Sequence, residues 1–139
     1  MVVEDSDVVR KVMRHAVEGL NFEVIDVGDT AEALARCKKR LPDLVILDWN
    51  IPGSQPLDFV AAVRSLPLGR SVKILYVMTN NEPAEVSRAI TAGVDGYMFK
   101  PFLSVTLEAK VAALTTRVRD PQEEVDYLHL PARVALGGR

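Results

Sequence analysis

With 139 residues, 48% of them hydrophobic, the chain has the material for one packed core, since single domains commonly run to about 100–150 residues. Its 17 basic and 19 acidic side chains leave a net charge of −2, which excludes a strong field drawing it to nucleic acid or an anionic membrane. The single cysteine, Cys37, excludes an internal disulfide, and no apolar run approaches the roughly 20 residues of a membrane helix; with no apolar signal segment at the start, a soluble protein of the reducing cytoplasm is expected.

Met1 to Glu4 reads as a very short apolar strand. It starts abruptly, without several apolar residues usual ahead of Val2-Val3, the pattern of a clipped and less stable start. Val8, Val9, Val12, Met13, Ala16, Val17 and Leu20 recur at helical spacing and predict an amphipathic helix ending near Gly19 to Asn21. Phe22 to Val27 is a strand candidate. Asp29 with Glu32 three positions on resembles a capping box opening a helix through Arg40, and Pro42 closes it. Leu44 to Leu47 is an unbroken apolar run, the pattern of a central parallel strand buried on both faces, and it stops at Asp48. A Pro- and Gly-containing loop, Asn50 to Pro56, precedes a helix from Leu57 to Ser65 and a strand at Lys73 to Met78. Pro83 opens a helix to Ala92 that Gly93 ends. Tyr97 to Phe99 is a short strand, Lys100-Pro101 a turn, and Leu107, Val111, Leu114 and Val118 mark the last helix.

Five strands alternating with five helices argue for an α/β, doubly wound parallel sheet, in which ligands bind where loops leave the carboxyl ends of the strands. Those ends carry Glu4 and Asp5, then Asp48, Thr79 and Lys100. Three carboxylates on one rim repel one another unless a hard divalent cation neutralises them, and Mg²⁺, which takes few protein ligands and keeps waters, is the natural choice. Thr79 can donate a hydrogen bond and Lys100 a charge to phosphoryl oxygens, which makes Asp48 a nucleophile forming an acyl phosphate.

Val2-Val3-Glu4-Asp5-Ser6, Leu47-Asp48-Trp49-Asn50-Ile51-Pro52, Thr79 and Lys100-Pro101-Phe102 together resemble the signature set of response-regulator receivers, over about residues 1–118. Asp48-Trp49-Asn50, Thr79-Asn80-Asn81-Glu82 and Ala92-Gly93 are similar to the CheY-like chemotaxis branch of single-domain regulators. The resemblance implies a flavodoxin-like (βα)5 fold of strand order 2-1-3-4-5. It implies that Asp5, Asp48 and the Asn50 backbone carbonyl ligate Mg²⁺, with Glu4 acting through water, and that Lys100-Pro101 is a cis peptide. It further implies a switch in which Thr79 moves toward the phosphoryl group and Tyr97 turns inward, altering a surface that runs roughly from Pro83 to Val118. A sensor histidine kinase upstream, a protein target downstream (a flagellar-motor or chemotaxis component by the subgroup likeness) and a monomer or phosphorylation-dependent dimer follow from the same resemblance. So does a domain that catalyses only its own phosphorylation and dephosphorylation.

Two departures stand out. Gln55-Pro56 replaces the usual Asp-Gly, which leaves the rim intact, and Leu103 replaces the usual polar cap, so that Ser104 is expected to cap the last helix. The receiver is bounded at residues 1–119. Residues 120–139, with Tyr127, Leu128, Leu130, Val134 and Leu136 among charges, form an extension readable as a mobile tail or a short docking helix; Arg133 and Arg139 are too few for nucleotide binding.

Taken singly, Asp48 is an ordinary strand terminator, Lys100 a solvated turn residue, and Tyr97 reads equally well as a half-buried strand aromatic. The joint placement of Glu4-Asp5, Asp48, Thr79 and Lys100 at strand ends carries the functional reading. His15 and His129 lack metal-ligand partners, Cys37 reads as a plain thiol, and Arg36, Lys38, Lys39 and Arg40 as a solvated helix end. A degenerate receiver acting as a phosphorylation-independent binding module is one rival. The other, an aspartate-nucleophile phosphatase, needs a second Asp where Asn50 stands.

Overall fold

The structure is a computed structural model that describes residues 1–79 and 81–115. Its described elements are β1 (Val2–Val3), α1 (Asp7–Glu18), β2 (Asp26–Val27), α2 (Thr30–Lys39), β3 (Leu44–Asp48), α3 (Pro56–Ser65), a 3-10 turn at Gly69–Ser71, β4 (Lys73–Met78), α4 (Pro83–Ala92), β5 (Gly96–Phe99) and α5 (Ser104–Thr115). All strand pairs are parallel, in the order β2-β1-β3-β4-β5, so the expected α/β doubly wound, flavodoxin-like arrangement is observed.

The sheet is covered on both faces. Val3, Val27, Val45, Leu47, Ile74, Tyr76 and Met78 pack toward α2, α3 and α4 through Ala33, Cys37, Phe59, Val60, Val63 and Ala89. Their alternate neighbours Val2, Leu44, Ile46, Leu75, Val77 and Met98 pack toward α1 and α5 through Met13, Ala16, Val17, Leu107 and Val111. The period-2 alternation of a strand thus sends successive residues of β3 and β4 into opposite cores, which is why both strands are apolar throughout.

Helix ends follow local chemistry. Asp29 accepts from the Glu32 N–H at 2.7 Å, although the Glu32 side chain turns to Arg36 at 3.2 Å instead of closing the box. Pro56 and Pro83 open α3 and α4, and Gly93, at φ 110°, ends α4 in the left-handed region that favours glycine. Arg64 ties the far end of α4 to the body. Its guanidinium donates to the carbonyls of Gly93, Gly69 and Val72 and to Asp95, whose Oδ2 also accepts from the Ile74 N–H.

Several expectations change. The strand predicted over 22–27 forms a ladder only at Asp26–Val27, because its partner β1 offers only two paired residues, and Ile25 is left 43% exposed. Val8 and Val12 fit the apolar periodicity but are exposed, since α1 buries Met13, Ala16 and Val17 instead. Ser104 is not the N-cap: the Leu103 carbonyl accepts from the Thr106 and Leu107 N–H groups, placing Ser104 one residue inside the helix. Val118 and the proposed extension at 120–139 lie outside the described residues.

Candidate functional site

Three of the strands, β1, β3 and β5, deliver the charged parts of the site at the carboxyl edge of the sheet. The last residue of β3 is Asp48, in register with Val77 of β4 and only 2% exposed. Glu4 follows β1 and is 1% exposed, while its neighbour Asp5 is exposed. Lys100 follows β5, held by its backbone N–H on the Met78 carbonyl at 2.7 Å.

These residues, distant in sequence, converge. Glu4, Asp5 and Asp48 each offer a carboxylate oxygen, and the three oxygens lie within 4.8 Å of one another. The Lys100 ammonium sits 2.7 Å from Glu4 Oε1 and 2.8 Å from Asp48 Oδ1. Glu4 Oε2 accepts from the Ser6 N–H at 3.2 Å, and Asp48 Oδ2 from the Asn50 N–H at 3.2 Å. Asp48 Oδ1 is fully buried, and the Lys100 ammonium beside it is its ion-pair partner.

Burial pushes the Glu4 carboxyl above its ordinary pKa, and the neighbouring Asp48 charge adds to this, while Lys100 and the Ser6 N–H pull the other way. For Lys100, burial disfavours the cation, but Asp48 and Glu4 outweigh it and hold the ammonium above the usual lysine value. One lysine facing three carboxylates leaves the cluster with an excess of negative charge. All three acids offer hard oxygen donors, so the set suits a hard divalent cation, which would add a second positive charge beside Lys100 at the buried Asp48 carboxylate.

The other predicted residues are placed differently. Thr79 is exposed just beyond the end of β4. Asn50 is exposed, with its N–H on Asp48. Tyr97 stands away from the acids: half-buried, it packs edge-on against Phe99 at 5.7 Å between ring centroids and has the Lys110 ammonium 5.9 Å over its face. With Phe99, Val86 and Ile90 it lines a groove of about 480 Å³ between α4 and β5. The Lys100-Pro101 peptide is cis.

Sequence reasoning missed Arg10 and Arg64. Arg10 donates to the Glu4 carbonyl at 2.7 Å and to Asp26 at 3.2 Å, and also pairs with Asp7. The Asp7–Arg10 spacing of three was the one signal available for it, and that spacing alone reads as an ordinary surface pair.

Comparison with known proteins agrees with this fold. The family model described as the response regulator receiver domain matches residues 1–112. The phosphate regulon transcriptional regulatory protein PhoB of Rhizobium meliloti is 34% identical over 118 residues, 85% of this chain and 52% of the relative, so the chain spans about half the length of that protein. Chemotaxis protein CheY-3 of Vibrio cholerae is 29% identical over 119 residues, covering 85% of this chain and 92% of the relative. The solved structure of the Vibrio cholerae chemotaxis response regulator CheY4 superposes with a TM-score of 0.77 at 30% identity, covering 81% of this chain and 94% of that one. With a family model spanning most of its length and a CheY-like fold carrying an acidic cluster at the sheet's carboxyl edge, the chain belongs to the response regulator receiver domain family.

Proposed function

We propose that the chain is a cytoplasmic, phosphorylation-controlled signalling switch in which Asp48 accepts a phosphoryl group from a sensor histidine kinase. The observation that carries this reading is the buried Asp48 carboxylate, ion-paired to Lys100 and within the acidic cluster. Mg²⁺ supplies charge neutralisation for the cluster and for a transferring phosphoryl group when bound. Asp5, Asp48 and the Asn50 carbonyl are its proposed protein ligands, with Glu4 acting through water.

The chain's own residues divide the work. Asp48 provides the nucleophilic carboxylate, buried at the end of β3 and oriented by the Asn50 N–H on Oδ2. Lys100 holds a positive charge where phosphoryl charge accumulates, and Thr79 offers a hydroxyl from the adjoining loop. The domain catalyses only its own phosphorylation and dephosphorylation. The face formed by α4, β5 and α5, with Tyr97 at its groove, passes the state to a protein target, a motility or chemotaxis component by likeness to the CheY relatives. The receiver unit ends near residue 119 in this reading.

Trp49, the one tryptophan and the neighbour of Asp48, reports on the site. The expected result is a saturable fluorescence change with Mg²⁺ and a second with beryllofluoride, the second lost in Asp48→Ala. A wild-type protein that binds Mg²⁺ but shows no response to beryllofluoride by fluorescence or by amide NMR supports the phosphorylation-independent binding module instead.

A further inference from the structure

The acidic pair Glu4-Asp5 follows a strand of only two residues, so the sheet gives it little orientation of its own. In a parallel strand the N–H and C=O of one residue leave on the same side. The Glu4 N–H faces β2 and reaches the Val27 carbonyl at 3.1 Å, but β2 ends at Val27 and offers no further donor for the Glu4 carbonyl. Arg10 takes that place, its Nη1 donating to the Glu4 carbonyl at 2.7 Å.

The guanidinium is itself fixed from three sides. Nε donates to Asp26 Oδ2 at 3.2 Å, Nη2 pairs with Asp7, and Nη1 lies over Gly28, where an added Cβ would come within 3.4 Å of it. Asp26 is in turn held by Arg14. A planar fork tied to β2, to the first turn of α1 and to the Glu4 carbonyl therefore fixes the plane of the Glu4–Asp5 peptide. That peptide is the backbone from which Glu4 and Asp5, two of the three clustered carboxylates, reach the cluster.

We infer that Arg10 is a positioning residue for the cation site: by clamping the Glu4–Asp5 peptide it sets the approach of Glu4 and Asp5 to Asp48, and with it the affinity for a divalent cation. This rests on the proposed Mg²⁺ site. Lysine cannot replace the fork, because a point charge on a flexible stem does not span the same acceptors.

The test is a Mg²⁺ titration by calorimetry on the full chain, for wild type, Arg10→Gln, Arg10→Lys and Arg14→Gln, with a urea-unfolding curve for each. Residues that orient metal ligands typically change affinity by about 10-fold to 100-fold, so Arg10→Gln is expected to weaken Mg²⁺ by at least about 10-fold, and Arg10→Lys to weaken it measurably. Arg14→Gln disturbs the same ion-pair network one step away, leaving Arg10 on the Glu4 carbonyl, and is expected to lose some stability while weakening Mg²⁺ far less than Arg10→Gln; equal weakening by the two overturns the positioning role. Wild-type affinity in a folded Arg10→Gln, or full recovery in Arg10→Lys, overturns the positioning role. Should Arg10→Gln fail to fold, Arg10→Lys against Arg14→Gln decides. Absence of Mg²⁺ binding by wild type itself is a separate result: it removes the cation site, and this inference falls with it.

Discussion

Replacing Lys100 by Met keeps most of the side-chain volume and removes the one cation that, among the described residues, contacts both buried acids. Glu4 and Asp48 are 1% and 2% exposed, so each would be left as an uncompensated charge in a poorly solvated site. Removing one partner of a buried pair costs about 3–5 kcal/mol, and because the Lys100 side chain keeps 23% exposure, water lowers the expected loss to about 2–3 kcal/mol near neutral pH. The loss depends on pH with a definite sign. Burial already raises the Glu4 carboxyl above its ordinary value, and losing Lys100 raises it further. A group whose folded pKa exceeds the unfolded one contributes stability fully below the unfolded pKa, near 4.3 for Glu, and loses it as pH rises through the folded pKa. The difference between Lys100→Met and wild type is therefore small at pH 5 and larger at pH 8, read from urea unfolding followed by Trp49 fluorescence. Equal losses at both pH values would refute the reasoning, since they would mean that packing and not buried charge sets the cost.

Tyr76 is 5% exposed, and burial, with the Asp48 charge, pushes its phenol up to about 12. Absorbance titration is expected to show one late tyrosine that is absent in Tyr76→Phe; because unfolded tyrosine ionises near 10, the folded state loses stability between about pH 10 and 12, and a Tyr76→Phe curve identical to wild type contradicts this. Cys37 is 2% exposed with its thiol pKa raised by burial, so it should resist a thiol reagent in native buffer and react fully in urea; rapid native labelling would place it elsewhere. An alanine Cβ at Gly69 would fall 1.8 Å from the Val63 carbonyl oxygen, predicting a loss of about 2–4 kcal/mol and a Tm drop of roughly 10 °C or more. Gly53, at φ 76° but in open space, should lose only about 1 kcal/mol as Gly53→Ala, and equal Tm shifts for the two would contradict the steric account.

What could be read in advance follows from how local each signal is. Leu44 to Leu47 announces a central strand because burial on both faces makes every residue apolar, and Asp48 stands out as the first charge after it. Pro83 and Gly93 bracket α4 through backbone preferences that need no tertiary partner. The outer strands were less readable: β2 is short because β1 is short, and nothing within Phe22 to Val27 encodes its partner's length. Val8 and Val12 follow a helical period yet stay exposed, since periodicity does not reveal how wide a stripe the sheet can cover.

The site divides along the same line. The acids and Lys100 could be listed from strand ends, but the bridge from Lys100 to Glu4 spans 96 positions and exists only through the fold. The Arg10 clamp on a backbone carbonyl has no residue-type signature, because every residue carries that acceptor. Tyr97 shows the opposite limit: only the resemblance singled it out as a switch aromatic, since its residue type reads equally well as a half-buried strand aromatic, and its side chain lines the α4–β5 groove.

The central claim is that Asp48 is the phosphoacceptor, and mass spectrometry of the chain incubated with acetyl phosphate and Mg²⁺ tests it most directly. The account predicts the gain of one phosphoryl group, mapped to Asp48 after borohydride reduction, dependent on Mg²⁺ and absent in Asp48→Asn. Phosphoryl incorporation at another residue, or no incorporation in a folded, Mg²⁺-binding protein, would contradict it.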